Sequence, residues 1–391
     1  MTVALKAPMS EELVWANIMR PRIPLIYLDL NTIIYFAKAL RGDTDVPTGY
    51  LDLYETVIRA KSEQRAMFPL GESHLWEITK ITDPSQRERL AEVFEAISDF
   101  NYLPGRVTIA ELEFDAGIAK VMQEKPRLST IPLLRPTFWQ VFGMVGGMKI
   151  VDADGLDSSK AVRAEMTDED YFALPRHLNL EVERHMLRGP SDEELVELRK
   201  DPNYRPEVAL ASHQSRVEWE IDTQRILNKH PKWRRGRLRD VIGAREIVHE
   251  WSDLLARMRV ERIRSGLPAF EPGEDQFRSF LGSMPHTQVA ISVKTQMHKN
   301  PRHRWTPNDL SDVDAVSVAY AYCDAVFPDK AMRHALATSK ELGVLGTFLP
   351  RRAAEMKDWI DARPPIVGPA CLVPHPLAKR VESGGLSTPT P

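Results

Sequence analysis

The sequence predicts an α/β fold, with a mainly parallel sheet covered by helices and a large, mostly helical insertion. Three observations predict it. Residues 24–32 (PLIYLDLNT) are a continuous apolar, β-branched and aromatic run stopping on Asp29, the pattern of a buried parallel strand. Strand and helix signals alternate from there to Ser98, and again from Phe277 to Ala362. Between Phe114 and Gly273 that alternation is lost.

Each element has its own local reason. After the first strand, Asn31 or Thr32 is placed to cap a helix through Ile33, Ile34 and Phe36. Residues 50–63 space Leu51, Leu53, Tyr54, Val57 and Ile58 helically, and residues 66–70 form a second short apolar run. Gly71, Glu72 and Ser73 open a helix carrying His74, Trp76 and Glu77, and residues 85–98 put Leu90, Val93, Phe94 and Ile97 on one face. Pro126, Pro132 and Pro136 then break the chain, and residues 143–155 favour a loop. A capping-box start at Ser191 leads into helices over 213–229 and 240–264, the latter with Val241, Val248, Trp251, Leu255 and Met258 on one stripe. The α/β rhythm resumes with a helix over 280–297, a loop over 305–309 and a helix over 311–322 whose first turn holds Asp312 and Asp314. A strand over 325–327, a helix over 332–339, a strand over 343–348 and a helix over 351–362 follow. The organisation expected is a discontinuous core over 20–115 and 275–362, a helical insertion over 116–274, and a flexible tail over 363–391 rich in Pro, Gly, Ser and Thr.

The formal net charge is −3 and 27% of residues are charged, so any nucleic-acid signal must be local. Cys323 and Cys371 lie in unrelated contexts with no CxxC spacing, which excludes a disulfide framework or structural zinc and favours a reducing cytoplasm. Residues 1–20 carry Glu11, Glu12 and Trp15 where a signal peptide needs an apolar stretch, and no segment approaches the ~18 to 20 apolar residues of a membrane span. A cytoplasmic protein without membrane association is expected.

Four acids have matching placements: Asp29 and Asp329 at strand ends, Glu77 one turn into a helix, Asp312 at a helix start. Carboxylates gathered in one cleft repel unless a counter-cation joins them, and Mg²⁺ or Mn²⁺ suits such an oxygen-only set. Asp312 is preferred over Asp309 and Asp314 because Ala315, Val316 and Ala319 follow at helical spacing and bury that face. Asn31, Asp309 and Asp314 are candidates for supporting contacts, Asn31 either orienting a water or capping its helix. Asp324 precedes its strand and is expected at the opposite edge, in a structural role.

Residues 26–31 (IYLDLN), Phe68-Pro69-Leu70-x-x-Ser73-His74-x-x-Glu77, Asn308-Asp309-x-x-Asp312 and the run from Ala321 to Lys330 resemble a PIN domain, in particular bacterial PIN-like proteins with a long helical insertion. The resemblance implies a three-layer α/β/α core and a Mg²⁺- or Mn²⁺-dependent ribonuclease, as in many toxin–antitoxin systems. It makes Asp29, Glu77, Asp312 and Asp329 both metal ligands and catalytic residues, with RNA as substrate, DNA not excluded, and an antitoxin or other protein as a possible partner. Many PIN domains carry Ser or Thr before the last acid, where this chain has Phe327 and Pro328. That departure favours the alternative of a non-catalytic PIN-like binding module.

Two basic stretches could track a phosphate backbone or meet an acidic partner. The first, residues 229–239, holds Lys232, Trp233, Arg234, Arg235 and Arg237. The second contributes Lys299, Arg302 and Arg304 just ahead of the acids. Arg225 and His230 also have the Arg-x4-His spacing of HEPN ribonucleases, a metal-independent alternative in which Ile226 stands where those usually carry a polar residue.

Overall fold

The computed structural model describes residues 13–144, 151–152, 154–366 and 372–375. Its strands are β1 (Ile18–Pro21), β2 (Ile26–Leu28), β3 (Ile131–Pro132), β4 (Ala325–Phe327) and β5 (Leu372–Pro374). They form a three-stranded sheet in the order β3-β1-β5 and a separate parallel pair, β2-β4.

The three-layer α/β/α PIN-like core is not what forms. The described residues are mostly helical, 63% helix against 7% strand, and among them the sheets have two and three strands. The apolar runs are strand-like in composition, but prolines confine their pairing. Residues 66–70 make single bridges, Met67 to Leu25 and Leu70 to Tyr102, with Pro69 between them unable to donate. Pro328 directly follows β4. Residues 343–348 contribute one bridge, Phe348 to Ala325, because the chain before it turns as a 3₁₀ helix over Lys340–Leu345.

The β2-β4 pair is nevertheless buried on both faces. Leu25, Tyr27 and Val326 join a cluster with Val289, Val293, Val313 and Tyr322 from the Pro285–His298 and Pro307–Tyr322 helices. Ile26, Leu28, Ala325 and Phe327 join another with Phe36, Val57, Phe94 and Met356. Helices expected over 50–63, 85–98 and 351–362 form as Tyr50–Ser62, Pro84–Ser98 and Ala353–Asp361.

Several boundaries differ for identifiable reasons. The helix expected over 311–322 starts at Pro307, because the Thr306 hydroxyl accepts from the Asp309 amide at 3.2 Å. Asp309 therefore occupies the first turn and Asp312 the second. The helix expected over 280–297 is two, Glu274–Gly282 and Pro285–His298, separated ahead of Pro285, which has no N–H to offer. The helix expected over 240–264 contains a π turn, Ile247–Trp251, between Leu238–Glu246 and Ser252–Arg264. The widened turn shifts the apolar stripe: Ile247, Trp251, Leu254 and Met258 are buried, while Val248 is 60% exposed.

The insertion packs into the rest of the molecule. Phe114 and Ile118 of the Arg106–Met122 helix share a cluster with Trp251, Leu254, Met258, Phe270 and Phe280. A Cβ on Gly117 would stand 2.7 Å from the Phe280 ring, so this approach requires glycine. In the expected flexible tail, β5 pairs antiparallel with β1, and His375 stacks against Trp15 and Tyr322. The rest of the tail beyond residue 366, Cys371 included, and part of the expected 143–155 loop lie outside the described residues.

Candidate functional site

The parallel register pairs Leu28 with Phe327, which delivers Asp29 and Asp329 just beyond adjacent strand ends. The Asp29 amide donates to the Phe327 carbonyl at 3.2 Å, and its own carbonyl accepts from Thr32 and Ile33, starting the Leu30–Arg41 helix. Asn31 does not cap that helix: its side-chain amide donates to Asp29 Oδ2 at 2.9 Å. Asp329 caps the Lys330–Thr338 helix, its Oδ1 accepting from the Met332 amide at 2.7 Å.

Glu77 reaches this edge on the Glu72–Ile78 helix, which is fastened at both ends. His74 Nδ1 accepts from the Gly71 amide at 2.9 Å, so Nε2 carries the hydrogen and donates to the Leu28 carbonyl, also at 2.9 Å. Burial pushes this imidazole down to about 4 and keeps it neutral. Ser73 adds a 2.8 Å bond to the Tyr27 hydroxyl. Beyond Glu77, Lys80 Nζ donates to Asn308 Oδ1 at 2.9 Å, tying this segment to the start of the helix that carries Asp312.

Asp29, Glu77 and Asp312 are each raised, and Asp329 contributes its charge to Asp29 and Asp312. Asp312 is pushed up to about 8 by burial and by the charges of Asp29, Glu77, Asp329 and Asp309. Glu77 is pushed up to about 7 by burial and Asp29, with Lys80 opposing. Burial also raises Asp29; the Asn31 bond pulls it down and Asp329 pushes it up. Half-buried carboxyls that oppose each other's ionisation form a set a hard divalent cation would neutralise, and all the donors are oxygens. The donor chemistry is that of Mg²⁺ or Mn²⁺, but no three of these side chains bring oxygens within 4.8 Å of one another, a spacing met among the described residues by Glu220, Glu246 and Glu250.

The supporting candidates divide. Asp309 belongs to the helix cap, its Oδ2 accepting from the Thr306 amide at 2.7 Å, and its charge acts on Asp312. Asp314 belongs to another network, in which Arg216 binds it at 2.7 and 2.8 Å and Arg106 stands at 3.4 Å. Burial works against its charge, yet Arg106 and Arg216 hold it below the usual carboxylate range. The same arginines pair with Glu250, which with Glu246 and Glu220 surrounds the buried Lys294 ammonium at 3.4, 2.7 and 2.8 Å. Oxygens of these three glutamates lie within 4.8 Å of one another, a spacing that would admit a metal, but Lys294 supplies the positive charge there. Asp324, by contrast, pairs with buried Arg20 and accepts from the Leu25 amide, before β2 rather than after it.

The basic stretches are partly engaged. Arg234 binds the His298 carbonyl and Asn228, Arg237 stands 3.9 Å from Asp240, and Lys299 donates to Gln296. Lys232, Arg235, Arg302 and Arg304 are exposed, and Trp233 stacks on His230 at 4.6 Å. Arg225 is paired with Asp222.

Sequence reasoning missed His74 as the bolt between Glu77's helix and β2, and it missed the Lys294 network. The signal for the second was a lone lysine in the run TQVAISVKT, which no helix can bury without acid partners. No helix among the described residues is long and apolar enough to cross a membrane. No match was found among protein-family models, curated proteins or solved structures.

Proposed function

We propose that the chain is a divalent-cation-dependent ribonuclease that hydrolyses phosphodiester bonds at Asp29, Glu77, Asp312 and Asp329. The observation that carries this reading is the mutual elevation of the acids, with Asp312 near 8 and Glu77 near 7 through burial and one another's charge. Surface helix caps do not raise each other in this way. The local motifs, not the architecture, carry the likeness to PIN-domain nucleases.

The four carboxylates would hold Mg²⁺ or Mn²⁺, which when bound lowers the pKa of water and offsets charge on the scissile phosphate. Asn31 fixes the orientation of Asp29 and favours its ionised form. His74 fixes where Glu77 sits relative to β2 without titrating near neutrality. Glu77, raised to about 7 by burial and Asp29, would be drawn into its ionised form by a shared cation and so contributes negative charge to the set. Asp329 would join through Oδ2, because its Oδ1 accepts from the Met332 amide in capping its helix.

The test is cleavage of RNA by the full-length chain with Mn²⁺, with and without chelator. Chelator-sensitive cleavage that falls about 100-fold or more in Asp312→Asn, with the circular dichroism spectrum retained, is the expected result. Chelator-insensitive cleavage that requires His230, or RNA left intact under all conditions, overturns it.

A further inference from the structure

Two cavities open along a single helix. The first, 610 Å³, is walled by Ile221, Arg225 and Lys229 on one side and by His303, Arg304 and Trp305 on the other. The second, 560 Å³, is walled by Leu210 and His213, by Pro307 and Asn308, and by Trp76 and Lys80. Both therefore lie between the Pro206–Lys229 helix and one continuous segment, residues 303–308, on either side of the buried Val217–Trp305–Leu310 contact, and together they mark one lane along the helix. From Leu210 to Lys229 the helical wall is about 28 Å long. The second cavity ends on Trp76, which adjoins Glu77 in the chain, and on Lys80, whose charge already acts on Glu77.

The charge along this lane is one-sided. Arg225, Lys229, Arg304 and Lys80 line it, and no carboxylate does. Arg225 is paired with Asp222, but neither Lys229 nor Arg304 has an ion-pair partner among the described residues. The second cavity also carries an aromatic pair, Trp76 stacked on His213 at 4.5 Å and 11°, whereas Trp305 beside the first is buried. Cations leading to a ring pair match a strand that presents phosphates and unstacked bases; a duplex keeps its bases stacked away. An acidic catalytic edge repels a polyanion, so a basic lane beside it offsets that repulsion.

Resting on the ribonuclease reading, we propose that this lane receives single-stranded RNA, with phosphates held at Lys229 and Arg304 and the strand led past the Trp76–His213 pair to Glu77. The helical insertion thus supplies one wall of the substrate site.

Binding and cleavage are measured separately. Anisotropy of a labelled single-stranded oligoribonucleotide, titrated with full-length protein in chelator across a salt series, reports the lane alone. At ~0.15 M salt the Lys229→Ala/Arg304→Ala double variant is expected to bind about tenfold more weakly, its salt slope reduced by about 1.4 for two lost phosphate contacts. Arg259→Ala, an exposed charge outside both cavities, is expected to match the native chain. Affinity and slope unchanged in the double variant, or tighter binding of a hairpin duplex or of single-stranded DNA, overturns the proposal. Asp312→Asn keeps the two readings apart: binding retained without any cleavage by the native chain supports the lane and sinks the ribonuclease.

Discussion

At the scale of single residues, the site depends on how Asp29 and Asp312 share charge. Asn31→Ala removes the one side-chain bond that favours ionised Asp29, so the carboxyl rises and metal must compete harder with protons. Mn²⁺ affinity is expected to fall about 10-fold or more, most at pH 6 and least at pH 9, as read by calorimetric titration. Asp312→Asn acts oppositely on stability. Because its carboxyl is raised to about 8, the folded chain holds a proton the unfolded chain releases, and stability is lost as pH rises through that value. The variant is therefore expected to be more stable than the native chain by roughly 2 kcal/mol at pH 9 without metal, and equal to it near pH 4, in thermal melts. The strand-end placements of Asp29 and Asp329 were legible because they are local patterns, whereas Asp312 lies in the second turn of a helix that starts at Pro307 rather than at its mouth. The sequence did not show Asn31 holding Asp29, since a residue two positions into a helix has the same composition whether it caps or supports.

At the scale of elements, much of the helical content was legible and the sheet was not. The Tyr50–Ser62 and Pro84–Ser98 helices follow from their apolar spacing, which depends only on neighbours within a few turns. Whether residues 66–70 pair along their length or at single bridges depends on partners a long way off in the chain, and Pro69 decides it. The π turn at Ile247–Trp251 was hidden for a related reason: a regular period has no place for one widened turn. The Glu72–Ile78 helix gives a sharp test. His74→Ala removes both buried bonds that join it to Gly71 and Leu28, with a cost of about 2–3 kcal/mol in urea unfolding. On the ribonuclease reading, the displaced Glu77 is expected to lower turnover more than it weakens RNA binding, as read by cleavage and anisotropy. Lys294→Met leaves three buried glutamates without their ammonium and is expected to cost about 3–5 kcal/mol.

At the scale of the whole molecule, buried titratable groups of both kinds set the pH response. His74 and His286 are held down to about 4 and about 3 by burial, so their contribution is lost as pH falls below about 6.5. Glu77 and Glu183, near 7, and Glu113 and Asp312, near 8, are raised by burial, and their contribution is lost as pH rises through those values. Between pH 6.5 and 8.5 only the second group acts, and the melting temperature is expected to fall. Mn²⁺ is expected to restore the part due to Glu77 and Asp312, since Glu113 and Glu183 are bound to Tyr322 and Tyr102 elsewhere. The segments read as core and insertion pack directly on each other: Phe114 and Trp251 share one cluster, and Arg216 clasps Asp314. The Lys294 ammonium has a consequence for any assay of metal content. It is tethered to the backbone, so no chelating resin can strip it and no added ion displaces it cheaply; on the proposed reading, dialysis would act on the edge by β2 alone, and metal stoichiometry would leave the Lys294 nest uncounted.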